Sequence, residues 1–207
     1  MAIRPLCIVD TSALMNLREI ECNNEPIYRL LWKEFEVRFS SDVNGEIARH
    51  RTQVMPQAEE CINKVHYVKR IDILEERLIG LSSSSRHIGE RHNLCVAFDL
   101  FEKQLRHSVF LTDDVAARRG FIDEFFRIFN IGRVWSSLDL ILYLFLRQHR
   151  VFSLSAAENA LRDVNAHITR NQNPQTRPEK TAERLAIFAD YTKRMHKLNE
   201  VLAKLRG

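Results

Sequence analysis

Short apolar or alternating runs recur along the chain, and each gives way to a segment with helical spacing. Leu6-Cys7-Ile8-Val9 stops at Asp10, Val37-Arg38-Phe39 at Ser40, Val109-Phe110-Leu111 at Thr112, and Arg133-Val134-Trp135 at Ser136. Such alternation of strands and helices predicts an α/β fold, with a central, mostly parallel sheet flanked by helices. Between the strands, spacing predicts a helix over 26–36 with Ile27, Leu30, Leu31 and Phe35 on one face. Further helices are expected after Ser41 or Asp42, from Ile88, from Val115, and over 138–146 behind a serine cap. Residues 56–80 read as a charged helical excursion that the Ser82-Ser83-Ser84-Ser85 run ends.

Towards the C-terminus, Ser155 and Glu158 have capping-box spacing for another helix, and the polar stretch 165–180, with Pro174 and Pro178, predicts a linker. Residues 182–205 predict one amphipathic helix whose stripe is Leu185, Phe188, Ala189, Met195, Leu198, Val201, Leu202 and Leu205. That stripe needs cover from its own domain, a second copy of the chain or an inhibitory partner. The chain therefore divides into an α/β domain over 1–150 and a helical extension over 151–207. The extension is expected to serve assembly or control, leaving chemistry to the first part.

Composition narrows this picture only a little. The 207 residues, 45% hydrophobic and 28% charged, suit one globular domain with a small appendage. Four cysteines, Cys7, Cys22, Cys61 and Cys95, lack paired spacing, which predicts a reducing compartment without disulfides. No apolar run approaches the roughly 20 residues that span a bilayer. Asp10 breaks any signal-peptide pattern, so a soluble, cytoplasmic protein is expected. A net charge of +4 permits a polyanionic partner without demanding one. Zinc-type Cys-His spacing, Gly-rich phosphate loops and a Gly-x-Ser-x-Gly elbow are all missing, and His92, close to Glu90, is the histidine worth following.

The candidate chemistry lies in where the acids fall. Asp10, Glu46, Glu90 and the pair Asp113-Asp114 each follow a strand or occupy the first turns of a helix. Every one has a plainer role available: a helix cap for Asp113 or Asp114, a solvated surface for Glu46, a favourable dipole interaction for Glu90. Thr11 and Ser12 can cap a helix or hold Asp10 through their hydroxyls, and Arg118 can pair with Asp114 or meet a phosphate. In a doubly wound sheet, however, these acids converge at the carboxyl edge. Converging carboxylates stay ionised together only with a hard divalent cation, Mg²⁺ or Mn²⁺. An all-acid site of that kind suits activation of water against a phosphodiester.

Asp10-Thr11-Ser12, Glu46 in Val43-x-x-Glu46-Ile47, Gly89-Glu90 with Ala97 beyond, and Thr112-Asp113-Asp114 with Ala117-Arg118 resemble, in order and spacing, the acidic motifs of the PIN-domain nucleases. The branch whose third acid sits in a Gly-Glu pair is the most similar, and Trp135-Ser136-Ser137 before an apolar helix fits it too. The resemblance covers roughly residues 3–150. It implies a Rossmann-like fold and a metal-dependent endoribonuclease that binds Mg²⁺ or Mn²⁺ and cleaves RNA, in many members as a toxin held by a cognate antitoxin. It also implies that Asp10, Glu46 and Glu90, with Asp113 or Asp114 as the fourth acid, are the catalytic and metal-binding residues, with Thr11, Ser12, Thr112 and Arg118 beside the substrate. The long charged insertion between Glu46 and Glu90 and the C-terminal extension depart from the minimal pattern. Alternatives are a related nuclease acting on DNA or in RNA maturation, and a non-catalytic binding module. A phosphoacceptor receiver domain is disfavoured because no lysine follows Val134-Trp135-Ser136.

Overall fold

A computed structural model of the protein describes residues 4–22, 25–50, 56–80, 87–148, 152–170 and 177–205. Strand β1 (Leu6–Val9) leads through helix α1 (Thr11–Leu17), a short antiparallel ribbon of β2 (Glu21–Cys22) and β3 (Glu25–Pro26), and α2 (Ile27–Glu34) to β4 (Glu36–Arg38). Four helices follow: α3 (Ser41–Arg49), α4 (Ala58–Ile62), α5 (Ile71–Ile79) and α6 (Ile88–Gln104). β5 (Ser108–Leu111) opens into α7 (Val115–Ala117), which runs through a π-helical turn (Arg118–Ile122) into α8 (Asp123–Phe129). The chain ends with β6 (Gly132–Trp135), α9 (Ser137–Gln148), α10 (Leu154–Arg170) and α11 (Arg177–Lys204).

β4, β1, β5 and β6 form one sheet in that order, and every pairing is parallel, as an α/β chain with helical crossovers requires. Side chains of successive strand residues point to opposite faces, so the apolar run of β1 feeds two cores at once. Cys7 and Val9, with Val37 and Leu111, join the core built with α1, α2, α9, α10 and α11. Leu6, Ile8 and Phe110 join the second core, under α6 and α8. Strand order reverses between β1 and β5: the chain first moves outward to β4, then returns past β1 to β5 and β6. The crevice outside the carboxyl ends of β1 and β5 is thus the switch point at which open α/β sheets bind ligands. None of the described helices is long and apolar enough to cross a membrane.

Several boundaries differ from the sequence expectation. Ser40, rather than Ser41 or Asp42, caps α3, its hydroxyl accepting from the Val43 N–H. Likewise Ser153, rather than Ser155, caps α10, accepting from Ala156 N. The expected linker over 165–180 is helix at both ends, and only 171–176 lie outside the described residues. α10 extends to Arg170 because Val164 and Ile168 continue its buried face despite polar neighbours. Pro178 sits in the first turn of α11, where a missing N–H has no intrahelical acceptor to lose. The serine run at 82–85 falls outside the described residues.

Gly132 starts β6 at φ +152, and a Cβ there would lie 1.8 Å from the Ser108 carbonyl oxygen on β5. No side-chain adjustment relieves a clash with backbone, so Gly132→Ala is expected to destabilise the fold by about 3 kcal/mol. Urea unfolding would check this; a variant within experimental error of the parent would show that the two strands can separate without penalty.

Candidate metal centre

Asp10 follows β1 directly, and its N–H continues the ladder to the Leu111 carbonyl of β5. The residue is only 2% exposed. Its Oδ2 accepts from Ser12 Oγ at 2.5 Å and from Thr112 Oγ1 at 3.0 Å. Burial, then the charge of Glu90, and further that of Glu46, push its carboxyl up to about 7, while the two hydroxyls pull the other way. The acid that opens α1 is therefore under repulsion from two others.

Glu46 reaches the site from the middle of α3, where its Oε2 accepts from Thr11 Oγ1 at 2.6 Å. Gly89 makes room for it: a Cβ at that position would stand 2.9 Å from Glu46 Oε1. The Gly-Glu pair thus serves two carboxylates, with Glu90 on the same first turn of α6. Glu90 is half-buried, and burial raises its pKa, with Asp114 adding repulsion and His87 opposing it.

The adjacent acids after β5 have different surroundings. Asp113 accepts from Ser137 Oγ at 2.5 Å, Ser137 N at 2.8 Å and Asn16 Nδ2 at 2.9 Å, so its carboxylate is committed to the N-terminus of α9 and to α1. Asp114 caps α7 with Oδ1, which accepts from Ala117 N at 2.9 Å. Its Oδ2 lies 3.4 Å from His87 Nδ1, which is also 3.4 Å from Glu90 Oε1. His87, Glu90 and Asp114 each offer a ligand atom within 4.8 Å of one another, an arrangement that could hold a metal ion. The capping role foreseen for one of the two acids is real, yet it leaves Asp114 an oxygen for this group.

The hydroxyl residues expected beside the substrate instead hold the acids. Thr11 holds Glu46 and Ser12 holds Asp10, while Ser12 Oγ also accepts from the Asp113 N–H. Thr112 donates to Asp10 and accepts from the Asp114 N–H. Arg118 does not pair with the Asp114 carboxylate; its Nε lies 3.7 Å from Asp123. His92, the histidine singled out in the sequence, is held away from the centre between Asp42 at 2.6 Å and Glu75 at 3.3 Å, joining α3 and α5 to α6. His87, rather than His92, is the histidine that lies beside Glu90 and Asp114. Its only sequence trace is the spacing of three residues to Glu90, because the left-handed backbone (φ 55) that turns it into the site is a feature of the fold.

A cleft of about 1270 Å³ adjoins the centre, larger than the roughly 300–1,000 Å³ of small-molecule pockets. One wall carries Ser12, Asn16 and the Asp113-Asp114 turn, and the other is α11, with Arg184, Ile187, Tyr191 and Arg194. Tyr191 fixes this wall by donating to Asp139 Oδ1 at 2.6 Å, while Asp139 Oδ2 caps α9 through Ser136. Burial, then that bond to Asp139, pushes the Tyr191 hydroxyl up to about 12. Part of the α11 stripe, with Met195 and Leu202 buried and Phe188 and Leu198 half-buried, is therefore covered by its own chain, the first of the three surfaces considered, and the helix also borders the cleft. Comparison with known proteins adds no identity: no family model matches the chain, nor does any curated protein or solved structure.

Proposed function

We propose that the protein is a divalent-metal-dependent endoribonuclease of PIN-like architecture, acting as a toxin or defence effector. The observation that carries this reading is the mutual repulsion of acids from four separate segments, Asp10, Glu46, Glu90 and Asp114, at the switch point of a parallel sheet. Such an arrangement is unfavourable alone and favourable around a hard cation. The donor set fits one: carboxylates suit Mg²⁺ and Mn²⁺, and the imidazole of His87 extends the set without a competing thiolate. Glu90, Asp114 and His87 would hold the ion, with Asp10 behind them and Glu46 completing the negative field. When bound, such an ion supplies Lewis acidity toward a phosphodiester and the water that attacks it.

The chain's own residues supply position. Thr11, Ser12 and Thr112 fix the Glu46 and Asp10 carboxylates, and Asp113 ties the β5 turn to α9 so that Asp114 faces Glu90. The acid cluster offers no activated serine, cysteine or lysine, so direct hydrolysis is expected, with RNA products carrying 5′-phosphate and 3′-hydroxyl ends. Incubating purified protein with RNA and with DNA in Mn²⁺, with and without chelator, tests the reading. Products with 2′,3′-cyclic phosphates that persist in EDTA would contradict it. An inhibitory partner, as toxins of this kind require, would have to close the cleft or displace the ion.

Gly89→Ala offers a finer check on the same centre. The added methyl would stand 2.9 Å from Glu46 Oε1, the flexible end of its side chain, and 3.2 Å from Cγ2 of the buried Val43, so the carboxylate must move and the valine must give by a few tenths of an ångström. Helix propensity favours alanine by about 1 kcal/mol and offsets the Val43 contact, so the melting temperature should stay close to the parent's. Mn²⁺ affinity should fall about tenfold, the usual effect of disturbing a group that supports a metal site. Calorimetric titration with Mn²⁺ measures it, and undiminished affinity would remove Glu46 from the centre.

A further inference from the structure

Four arginines line the cleft, and three of them are matched by acids. Arg119 pairs with Glu183 at 2.8 Å, Arg194 with Asp190 at 2.6 Å, and Arg118 with Asp123 at 3.7 Å. Arg184 is different. It is half-buried on the α11 wall, and no described residue lies within hydrogen-bonding or ion-pairing distance of its guanidinium. Asp113 and Glu183 act on it only through longer-range attraction, Arg119 repels it, and burial lowers its pKa. A cation held partly out of water without a partner is unfavourable until an anion arrives. Arg184 keeps its proton regardless, because a guanidinium is not deprotonated in proteins.

Arg184 and the turn that carries Asp113 and Asp114 line the same cleft, and the Asp113 charge attracts the guanidinium. We propose that Arg184 binds a backbone phosphate of a single-stranded nucleic acid lying in the cleft, so that the C-terminal extension forms the substrate's second wall. The inference rests on the nuclease reading for the identity of the anion and goes beyond it in assigning the extension a part in binding. Planar guanidinium donors match phosphate oxygens in pairs, which a partnerless arginine is free to do. The single strand follows from where the acids open to solvent: Asp114 lines the cleft, and a strand must enter it to bring a phosphodiester near that carboxylate.

The test is equilibrium binding of a short fluorescent single-stranded RNA of mixed sequence to the full chain in EDTA, followed by anisotropy over a salt series. Arg184→Gln is expected to weaken binding about tenfold at low salt, as loss of a charged hydrogen bond does. It should also lower the slope of log affinity against log salt by about 0.7, the share of one phosphate contact on a single strand. Arg184→Lys should retain the slope, and Arg127→Gln, a change at an α8 arginine that pairs with Glu124, should change neither quantity. Melting curves and Mn²⁺ titration confirm that each variant keeps its fold and its metal site. A folded Arg184→Gln protein with wild-type affinity and slope overturns the proposal, as does an equal loss in Arg127→Gln. Should Arg184→Gln fail to fold, a loss of slope in the folded Arg184→Lys protein overturns it instead. If wild type binds RNA through Arg184 yet never cleaves it in Mn²⁺, the nuclease reading fails and the phosphate contact stands.

Discussion

Asp10→Asn is expected to abolish metal-dependent cleavage while making the metal-free protein more stable. Both effects come from one carboxylate. On the activity side, the variant loses the charge at the floor of the centre. Several kcal/mol of transition-state stabilisation corresponds to at least about 10³-fold in rate. On the stability side, the native state holds the Asp10 proton up to about pH 7, whereas an unfolded chain releases it near its ordinary value of 3.8. Between those limits the native state binds more protons than the unfolded one, so the wild type loses stability as pH rises through that window. The loss is complete above pH 7 and has an upper bound on the order of 4 kcal/mol. Asparagine cannot ionise, so its advantage should be absent near pH 4 and largest near pH 8, at about 2–4 °C per kcal/mol for a chain of this size. Melting curves in EDTA across that range, beside cleavage assays in Mn²⁺, measure both. A variant that cuts RNA at the parent's rate would place the chemistry elsewhere, and one that melts lower at pH 8 would contradict the repulsion.

Removing residues 177–207 should cost the protein its cooperative fold. Met195 is fully buried and Leu202 nearly so, and Ile187, Phe188, Tyr191 and Leu198 pack half-buried on the same core. Burial of that much apolar surface contributes more than about 5 kcal/mol. A domain's whole stability is only about 5–15 kcal/mol. The truncated chain would also lose the Tyr191 bond to Asp139 and one wall of the cleft. From the sequence, deleting residues 170–207 was expected to alter oligomeric state or solubility while sparing the metal site, and this packing argues against the second part. Circular dichroism melts and light scattering decide the matter: a soluble truncated protein that melts sharply at the parent's temperature would make α11 dispensable.

What could be read beforehand was local. An apolar run ending in an acid, or an acid on a helix's first turn, depends only on neighbouring residues, and Asp10 and the Asp113-Asp114 turn, by the first, and Glu90, by the second, lie where those patterns put them. Glu46 lies further along its helix, and Thr11 and Gly89 explain how it still reaches the centre. The choice between Asp113 and Asp114 was beyond the pattern, because Ser137 and Asn16, which occupy Asp113, arrive from distant helices. The same holds for the docked face of α11. Its stripe was visible, but the fold buries Met195 and Leu202 and leaves Leu185, Val201 and Leu205 exposed. A hydrophobic stripe wider than its contact does not say which edge is used. Cleft-facing Arg184 is a polar residue on an otherwise unremarkable helix, and only tertiary packing reveals that it lacks a partner among the described residues.

The parallel register carries a consequence for how the chain comes into being. β1, which like β5 has a neighbour on each side, aligns Leu6 with Ser108, about a hundred residues later. Translation at about 5–20 residues per second leaves β1 without that neighbour for roughly 5–20 s, and pairings so distant in sequence also form slowly. During that interval Leu6-Cys7-Ile8-Val9 is a ribosome-tethered apolar segment in need of shielding. The same delay keeps the acids apart, since Asp10 and Asp114 meet only when β5 docks beside β1. On the nuclease reading proposed above, a nascent chain would stay inert until β5 docks, and Arg184 joins the cleft only once α11 has emerged.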